Sequence, residues 1–312
     1  MKILLTSTSF QDTPGAHQEL LLKFNIEVDR MRGPLKESEL MSVIDQYDGI
    51  IMGDDEYTRD VLAKGKASKL KILSKYGVGL DKVDLDAAKE LGVEVRNVLG
   101  VNQTTVAEHV FGLLLSFAKN IPEQIAVTRN GEWKRKTGFE IRGKKFGVLG
   151  FGKIGKEVAK LAKAFGMNIM VYDITIDDEA KREIGVEVAN SVDKLFQTCD
   201  VITLHMPLLE STQHIVNADR LGMTKDGFIL LNTSRGALVD QDALIDYLET
   251  NKSSAYLADV IEVEPIDETC LINKLENVWI TPHIGSRTLQ NVERQGIGAI
   301  NNLVEYLKLE KK

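Results

Sequence analysis

Three side chains late in the sequence are of the types needed to move a hydride and a proton together. Arg235 lies in Asn232-Thr233-Ser234-Arg235-Gly236, directly after the apolar run Phe228–Leu231. Glu264 lies in Asp259-Val260-Ile261-Glu262-Val263-Glu264-Pro265, and His283 in Thr281-Pro282-His283-Ile284-Gly285. A guanidinium grips a carboxylate through two parallel hydrogen bonds and polarises a neighbouring carbonyl. An imidazole moves a hydroxyl proton as hydride leaves or reaches the carbon that bears it. A carboxylate beside that imidazole orients the ring and stabilises its cationic form. Interconversion of a 2-hydroxy acid and a 2-keto acid asks for one group of each kind. Taken singly, each has a plainer reading. Arg235 is also a surface charge at a strand end, His283 a packing or surface histidine, and Glu264 a turn residue with Glu262 as the competing partner.

A hydride needs a carrier, and the sequence offers a place for one. Gly150-Phe151-Gly152-Lys153-Ile154-Gly155 follows the strand-like Lys145–Leu149 and opens a helical run. In such a loop Gly150 permits the tight turn, Gly152 lets backbone approach a pyrophosphate, and Gly155 allows close helix–strand packing. The helix start adds free N–H groups and a positive dipole end. Asp173 closes the next apolar run 18 residues after Gly155, where an acidic group accepts from the ribose hydroxyls of an adenosine. Its charge repels a 2′-phosphate, and Ile174 and Thr175 supply no arginine for one, which favours NAD over NADP. A nucleoside-binding methyltransferase is the competing reading of this loop.

The elements that must position these groups alternate almost from end to end. Strand candidates are Ile3–Thr6, Ile26–Asp29, Gly49–Met52, Lys71–Ser74 and Val93–Asn97, then Lys145–Leu149, Asn168–Tyr172, Val201–Leu204, Phe228–Asn232, Ala255–Val260 and Val278–Thr281. Amphipathic stretches separate them, among them Glu37–Tyr47, Lys153–Phe165 and Asp240–Asn251. Such β-α-β-α order calls for parallel sheets covered by helices. Asn102–Lys119, long and without proline, reads as a connector between two α/β units, and Leu289–Lys312 as a closing helix. A chain of 312 residues suits two domains. The net charge of −7 and pI near 5.4 argue against nucleic-acid or anionic-membrane partners, which need a basic face. No apolar run is long enough to span a membrane, and the first residues do not read as a signal peptide. Cys199 and Cys270 form no metal-type cluster, and a cytoplasmic setting follows. His109 falls mid-helix and reads as a packing or interface residue.

Taken together, Lys75-Tyr76-Gly77-Val78-Gly79-Leu80-Asp81, Val106-Ala107-Glu108, the glycine loop, His205-Met206-Pro207, Ser234-Arg235-Gly236-Ala237-Leu238-Val239-Asp240, Glu264-Pro265 and Thr281-Pro282-His283-Ile284-Gly285 resemble the D-isomer-specific 2-hydroxyacid dehydrogenases. The resemblance spans nearly the whole chain. It implies an α/β fold with a Rossmann NAD-binding domain (99–288) inserted in a flavodoxin-like parallel-sheet substrate domain (1–98, completed by 289–312). It implies catalytic roles for Arg235, Glu264 and His283. It places substrate at Lys75, Gly77, Val78, Gly79 and Arg235. It places NAD at Thr105, Gly150, Gly152, Lys153, Ile154, Gly155, Asp173, His205, Met206, Pro207, Thr233, Ser234, Arg235, Asp259, His283 and Gly285, with Asp259 accepting from the nicotinamide carboxamide. A homodimer formed through the NAD domain is expected, with Asn102–Lys119 and the loop around Trp133 as candidates.

The substrate expected is a small 2-hydroxy or 2-keto acid, with phosphoglycerate dehydrogenase-like and glyoxylate/hydroxypyruvate reductase-like activities both open. Some phosphoglycerate dehydrogenases carry an arginine-containing segment after the third strand, where this chain has Gly53-Asp54-Asp55-Glu56-Tyr57-Thr58. Three carboxylates there would repel a phosphate unless Arg59, Lys75, Lys134 or Arg135 compensates. With the last residue at Lys312, serine feedback through the regulatory domain of some relatives is not expected. An NAD(H)-sensing binding protein on the same fold, as among the C-terminal-binding co-repressors, is the alternative. Formate oxidation is disfavoured by Glu264, where formate dehydrogenases carry glutamine, and phosphite oxidation stays open.

Overall fold

The inner aliphatic runs become strands buried on both faces, and for that reason they read as nearly unbroken apolar stretches rather than as alternations. The computed structural model describes residues 1–311. The chain divides into two units: Met1–Asn102 with the residues from Arg287 onward, and Gln103–Ser286. The second is inserted in the first, with crossings at 102/103 and 286/287 where 98/99 and 288/289 were expected.

The first unit holds β1 (Lys2–Leu5), β2 (Glu27–Arg30), β3 (Gly49–Met52), β4 (Ile72–Lys75) and β5 (Glu94–Arg96). They form one sheet in the order β2-β1-β3-β4-β5, every pairing parallel, which is the flavodoxin-like order. Successive side chains point to opposite faces, so Leu4, Ile50 and Leu73 enter one apolar layer and Ile3, Leu5, Ile51 and Ile72 the other. The second layer is completed by the helix Leu289–Leu307, through Ala299, Ile300 and Leu303. Ser74 on β4 donates to the Ala299 carbonyl at 2.8 Å, tying chain segments 225 residues apart. That helix starts where the Thr288 hydroxyl accepts from the Asn291 N–H and stops at Leu307, short of the expected end, because Lys308 turns left-handed at φ 50°.

The second unit holds β6 (Lys145–Leu149), β7 (Asn168–Tyr172), β8 (Glu187–Val188), β9 (Val201–Leu204), β10 (Ile229–Asn232), β11 (Ala255–Ala258) and β12 (Val278–Ile280). Their order is β12-β11-β10-β9-β6-β7-β8, again parallel throughout. This is the doubly wound dinucleotide-binding order with one added strand, and its direction reverses at β6. Phe146, Val148 and Leu231 face one buried layer, and Leu149, Ile202 and Leu230 the other. The helix expected as a connector, observed at Gln103–Ala118, belongs to this unit: Ala107, Val110, Phe111, Leu114 and Ala118 lie in its core. A further helix, Ile121–Arg129, buries none of its residues. With no face buried in the unit, it left little signal in the sequence. No helix among the described residues is long and apolar enough to cross a membrane.

Candidate active site

In an open parallel sheet, ligands settle beyond the carboxyl ends of the strands where strand order reverses. The Gly150 loop follows β6 and the segment His205-Met206-Pro207 follows β9, the two strands that flank that point. The loops touch there. A Cβ on Gly150 would stand 2.4 Å from the His205 carbonyl, and φ of +100° also demands glycine. A Cβ on Gly155 would stand 2.0 Å from the Gly150 carbonyl, so helix and loop close against each other only without one. Beside Gly152 a Cβ would meet nothing within 4 Å. Gly152 is the N-terminal cap of the helix Lys153–Ala164 and carries no capping side chain, so an anion fits against the first N–H groups.

The remaining cofactor candidates divide by their contacts. Lys153 is exposed and Ile154 half-buried on the first turn of that helix. Asp173 accepts from the Phe151 N–H at 2.5 Å and the Thr175 N–H at 3.3 Å, which locks the carboxylate beside the glycine loop. Met206 is half-buried and Pro207 exposed. His205 meets the Thr203 hydroxyl through Nε2 at 2.9 Å; burial pushes its imidazole down to about 3, so the ring is neutral. His205 Nδ1 and Thr233 Oγ1 are buried with no partner among the described residues. Two orphaned polar atoms, open space at Gly152 and an anchored Asp173 fit a dinucleotide. Ser234 donates to the Leu204 carbonyl at 2.6 Å and so ties its own loop to β9. Thr105, on the helix Gln103–Ala118, donates to the Gly285 carbonyl at 3.4 Å. Among the described residues no group of His, Cys, Asp and Glu is arranged to hold a metal ion.

Three neighbouring strands deliver the reactive side chains. Arg235 follows β10, and its guanidinium donates to the Ser234 carbonyl at 2.6 Å while Asn232 donates to the Arg235 carbonyl at 2.8 Å. Gly236 lies against the Ile261–Glu262 backbone, 1.9 Å from where a Cβ would stand. The loops of Arg235 and Glu264 therefore pack backbone against backbone. Glu264 accepts from the Ile261 N–H at 3.2 Å through Oε1 and meets His283 Nδ1 at 2.9 Å through Oε2. Glu262, the competing partner, lies 3.4 Å from His214 instead. The Glu264–His283 pair is part exposed, 37% and 39% at the side chains. With a carboxylate on Nδ1, that nitrogen carries the proton, an arrangement that suits proton exchange at Nε2.

His283 sits in the left-handed region, φ 53°, which costs a residue with a Cβ about 1–2 kcal/mol. The turn is held from β11. The Asp259 carbonyl accepts from the His283 N–H at 2.9 Å, and its carboxylate from Ile284 N–H at 2.9 Å and Gly285 N–H at 2.6 Å. Asp259 is 2% exposed. Burial works against its charge, but His109, Thr281 and these backbone groups hold the carboxyl below the usual range. The residue expected to accept from a carboxamide is seen to fasten the turn beneath the histidine.

In the first unit, Gly77 takes φ +127° after β4. The N–H groups of Gly77, Val78 and Gly79 donate to no group among the described residues, an arrangement that suits a carboxylate. Lys75, expected at the substrate, is 4% exposed and turned inward, donating to the Gly53 carbonyl at 2.6 Å and to Asp54 at 2.5 Å. The expected triple-carboxylate patch is also corrected. Asp55 is fully buried on Thr6 and the Leu35 N–H, with its carboxyl raised by burial. Glu56 accepts from the Glu37 N–H. Of the three, Asp54 alone is exposed.

A doubly wound sheet with this glycine loop, and with an arginine and a carboxylate–histidine pair along one edge, defines a pyridine-nucleotide oxidoreductase. The family model described as D-isomer specific 2-hydroxyacid dehydrogenase, NAD binding domain, matches residues 111–285. The chain belongs to that family. It is 38% identical to a hydroxypyruvate reductase of Thermotoga maritima, over 94% of each chain. It is 37% identical to a D-3-phosphoglycerate dehydrogenase of Methanocaldococcus jannaschii over 99% of its own length but 58% of that relative's. The apo-structure of D-lactate dehydrogenase from Escherichia coli superposes with a TM-score of 0.86 at 30% identity, covering 99% and 97% of the two chains.

Proposed function

We propose that the protein interconverts a small, unphosphorylated D-2-hydroxy acid and its 2-keto acid. The observation that carries this is the His283 Nδ1–Glu264 Oε2 contact at 2.9 Å on the strand edge that also presents Arg235. Bound NADH supplies the hydride to C2, and NAD⁺ accepts it in the reverse direction. In reduction, the Arg235 guanidinium holds the substrate carboxylate and draws electron density from the keto oxygen. As C2 gains two electrons, that oxygen takes the proton from His283 Nε2, and the ring is left neutral with its Nδ1–H still donating to Glu264.

The absence of phosphate from the substrate is argued from the cations that would have to receive it. Lys75 is on Asp54 at 2.5 Å, Arg59 on Glu90 at 2.7 Å and Lys134 on Glu132 at 2.6 Å. Three of the four candidates are thus already matched by carboxylates. NADH oxidation followed by absorbance, with glyoxylate, hydroxypyruvate, pyruvate and 3-phosphohydroxypyruvate, tests the reading. Turnover is expected with the unphosphorylated acids, and His283→Ala should lower kcat by about 10²-fold or more. A preference for the phosphorylated acid would reject the substrate assignment. Tight NADH binding without turnover of any acid would favour a sensor.

The homodimer belongs to the same proposal. On the solvent-facing helix Ile121–Arg129, Ile121 is 42% and Ile125 44% exposed, and nearby Trp133 is 79% exposed. Apolar groups gathered this way suit a subunit interface. A cytoplasmic setting agrees with the free thiols of Cys199 and Cys270.

A further inference from the structure

Among the described residues, His109 is the imidazole that reaches the base of the Thr281–Gly285 turn from another element of the same unit. Its Nε2 lies 3.0 Å from Thr281 Oγ1 and 3.3 Å from Asp259 Oδ1. Thr281 has a single hydroxyl proton, and at 2.5 Å that proton goes to Asp259 Oδ1. The threonine oxygen therefore accepts from His109, and His109 Nε2 carries a proton shared between Thr281 and Asp259. The same carboxylate takes the Ile284 and Gly285 N–H groups, and the same residue's carbonyl takes the His283 N–H. The absence of a side chain at Gly285 makes the approach possible: a Cβ there would lie 3.4 Å from His109 Cδ2 and 2.8 Å from Asp259 Oδ2.

We infer that His109 is a positioning residue, donating to Asp259 and Thr281 so that the Thr281–Gly285 turn holds His283 in its left-handed conformation. His109 rides on a helix anchored by Ala107, Val110 and Phe111 in the core of the unit, so the donor is fixed before any ligand arrives. Removal of the donor leaves a buried carboxylate and a threonine oxygen short of a partner, and the turn gives way at the amides that Asp259 holds. The effect on catalysis rests on the proposed reaction; the effect on the turn does not.

The test compares the parent with His109→Leu, which removes the donor at similar volume, and His109→Gln, whose side-chain amide carries an N–H close to the Nε2 position. Amide hydrogen exchange is measured on the protein without NADH, alongside kcat, KM and the NADH dissociation constant. For His109→Leu, exchange at Ile284 and Gly285 should accelerate about tenfold or more, with β10 and β11 unchanged. Its kcat should fall about tenfold while KM and NADH affinity stay within about threefold. His109→Gln should recover most of both losses. The inference is overturned if His109→Leu keeps its amide protection, or if β10 and β11 lose protection equally. It is overturned too if His109→Gln fails as fully as leucine. If the parent turns over no keto acid, the proposed reaction fails, and amide exchange alone still decides the role of His109.

Discussion

Gly152→Ala should separate cofactor binding from folding, because the space beside Gly152 is open. A Cβ there meets nothing within 4 Å, and φ of −74° suits any residue. Two small effects on stability oppose each other. Alanine restricts the unfolded chain, worth about 0.4–1 kcal/mol, and it caps a helix less well than glycine by a comparable amount. Tm should stay within about 2 °C of the parent. NADH binding has no such offset, since the new methyl stands where a pyrophosphate must approach the first N–H groups of the helix. Loss of one or two charge-assisted hydrogen bonds costs about 1.5–3 kcal/mol each. At 1.4 kcal/mol per tenfold, the dissociation constant should rise by roughly 10- to 100-fold or more. Gly155→Ala is the contrasting variant. Its Cβ would stand 2.0 Å from the Gly150 carbonyl and 3.2 Å from Val148, and overpacking of that kind costs about 1–3 kcal/mol. At about 2–4 °C per kcal/mol for a domain of this size, its Tm should fall by roughly 2–12 °C. NADH fluorescence titration beside calorimetry reads both quantities. If Gly152→Ala binds NADH within about threefold of the parent while Gly155→Ala loses stability as expected, the pyrophosphate does not rest on this loop and the reasoning fails.

Two further outcomes follow from the same geometry. His205 is held neutral, its imidazole pushed down to about 3 by burial, whereas in the unfolded chain it takes up a proton below its usual 6.5. Stability is therefore complete above that value and is lost as pH falls towards 3. Between pH 7 and 5 the loss is at most about 2 kcal/mol, less to the extent that the half-exposed ring edge is solvated. Denaturant unfolding should show it, and His205→Gln should flatten the dependence; an equal slope in both proteins would reject it. Light scattering should give a mass twice the 34.7 kDa of the chain, and aspartate at Ile125 and Trp133 should reduce it to one. A parent of single-chain mass would remove the proposed interface.

The central strands were legible because both sheets are parallel and their middles are buried on both faces, so each of those strands announced itself as a short aliphatic run. The helix Leu289–Leu307 was visible by periodicity, but not its destination, since nothing local encodes the Ser74–Ala299 hydrogen bond across 225 residues. Short elements left little trace. Ile121–Arg129 has no buried face, and β8 spans two residues.

Residue type and spacing give the chemistry available at a site, whereas the direction of each side chain belongs to the fold, and the polar groups show where the two part. Asp54, Asp55 and Glu56 read in sequence as one negative patch facing a substrate. In the fold the backbone sends Asp55 into the core, sets Glu56 on a helix start and leaves Asp54 on Lys75. The same separation works in favour of the site at Asp259. The family resemblance implied a cofactor contact for it, and the β11–β12 register also places its oxygens under the Ile284 and Gly285 N–H groups. A buried carboxylate with several donors is costly to move, because any shift strands its charge. It is therefore an effective anchor for a histidine in an unfavourable backbone conformation. Strain at His283, the contact with Glu264 and the donors around Asp259 thus form one arrangement, in which the fold fixes the direction of the imidazole proposed to move the proton.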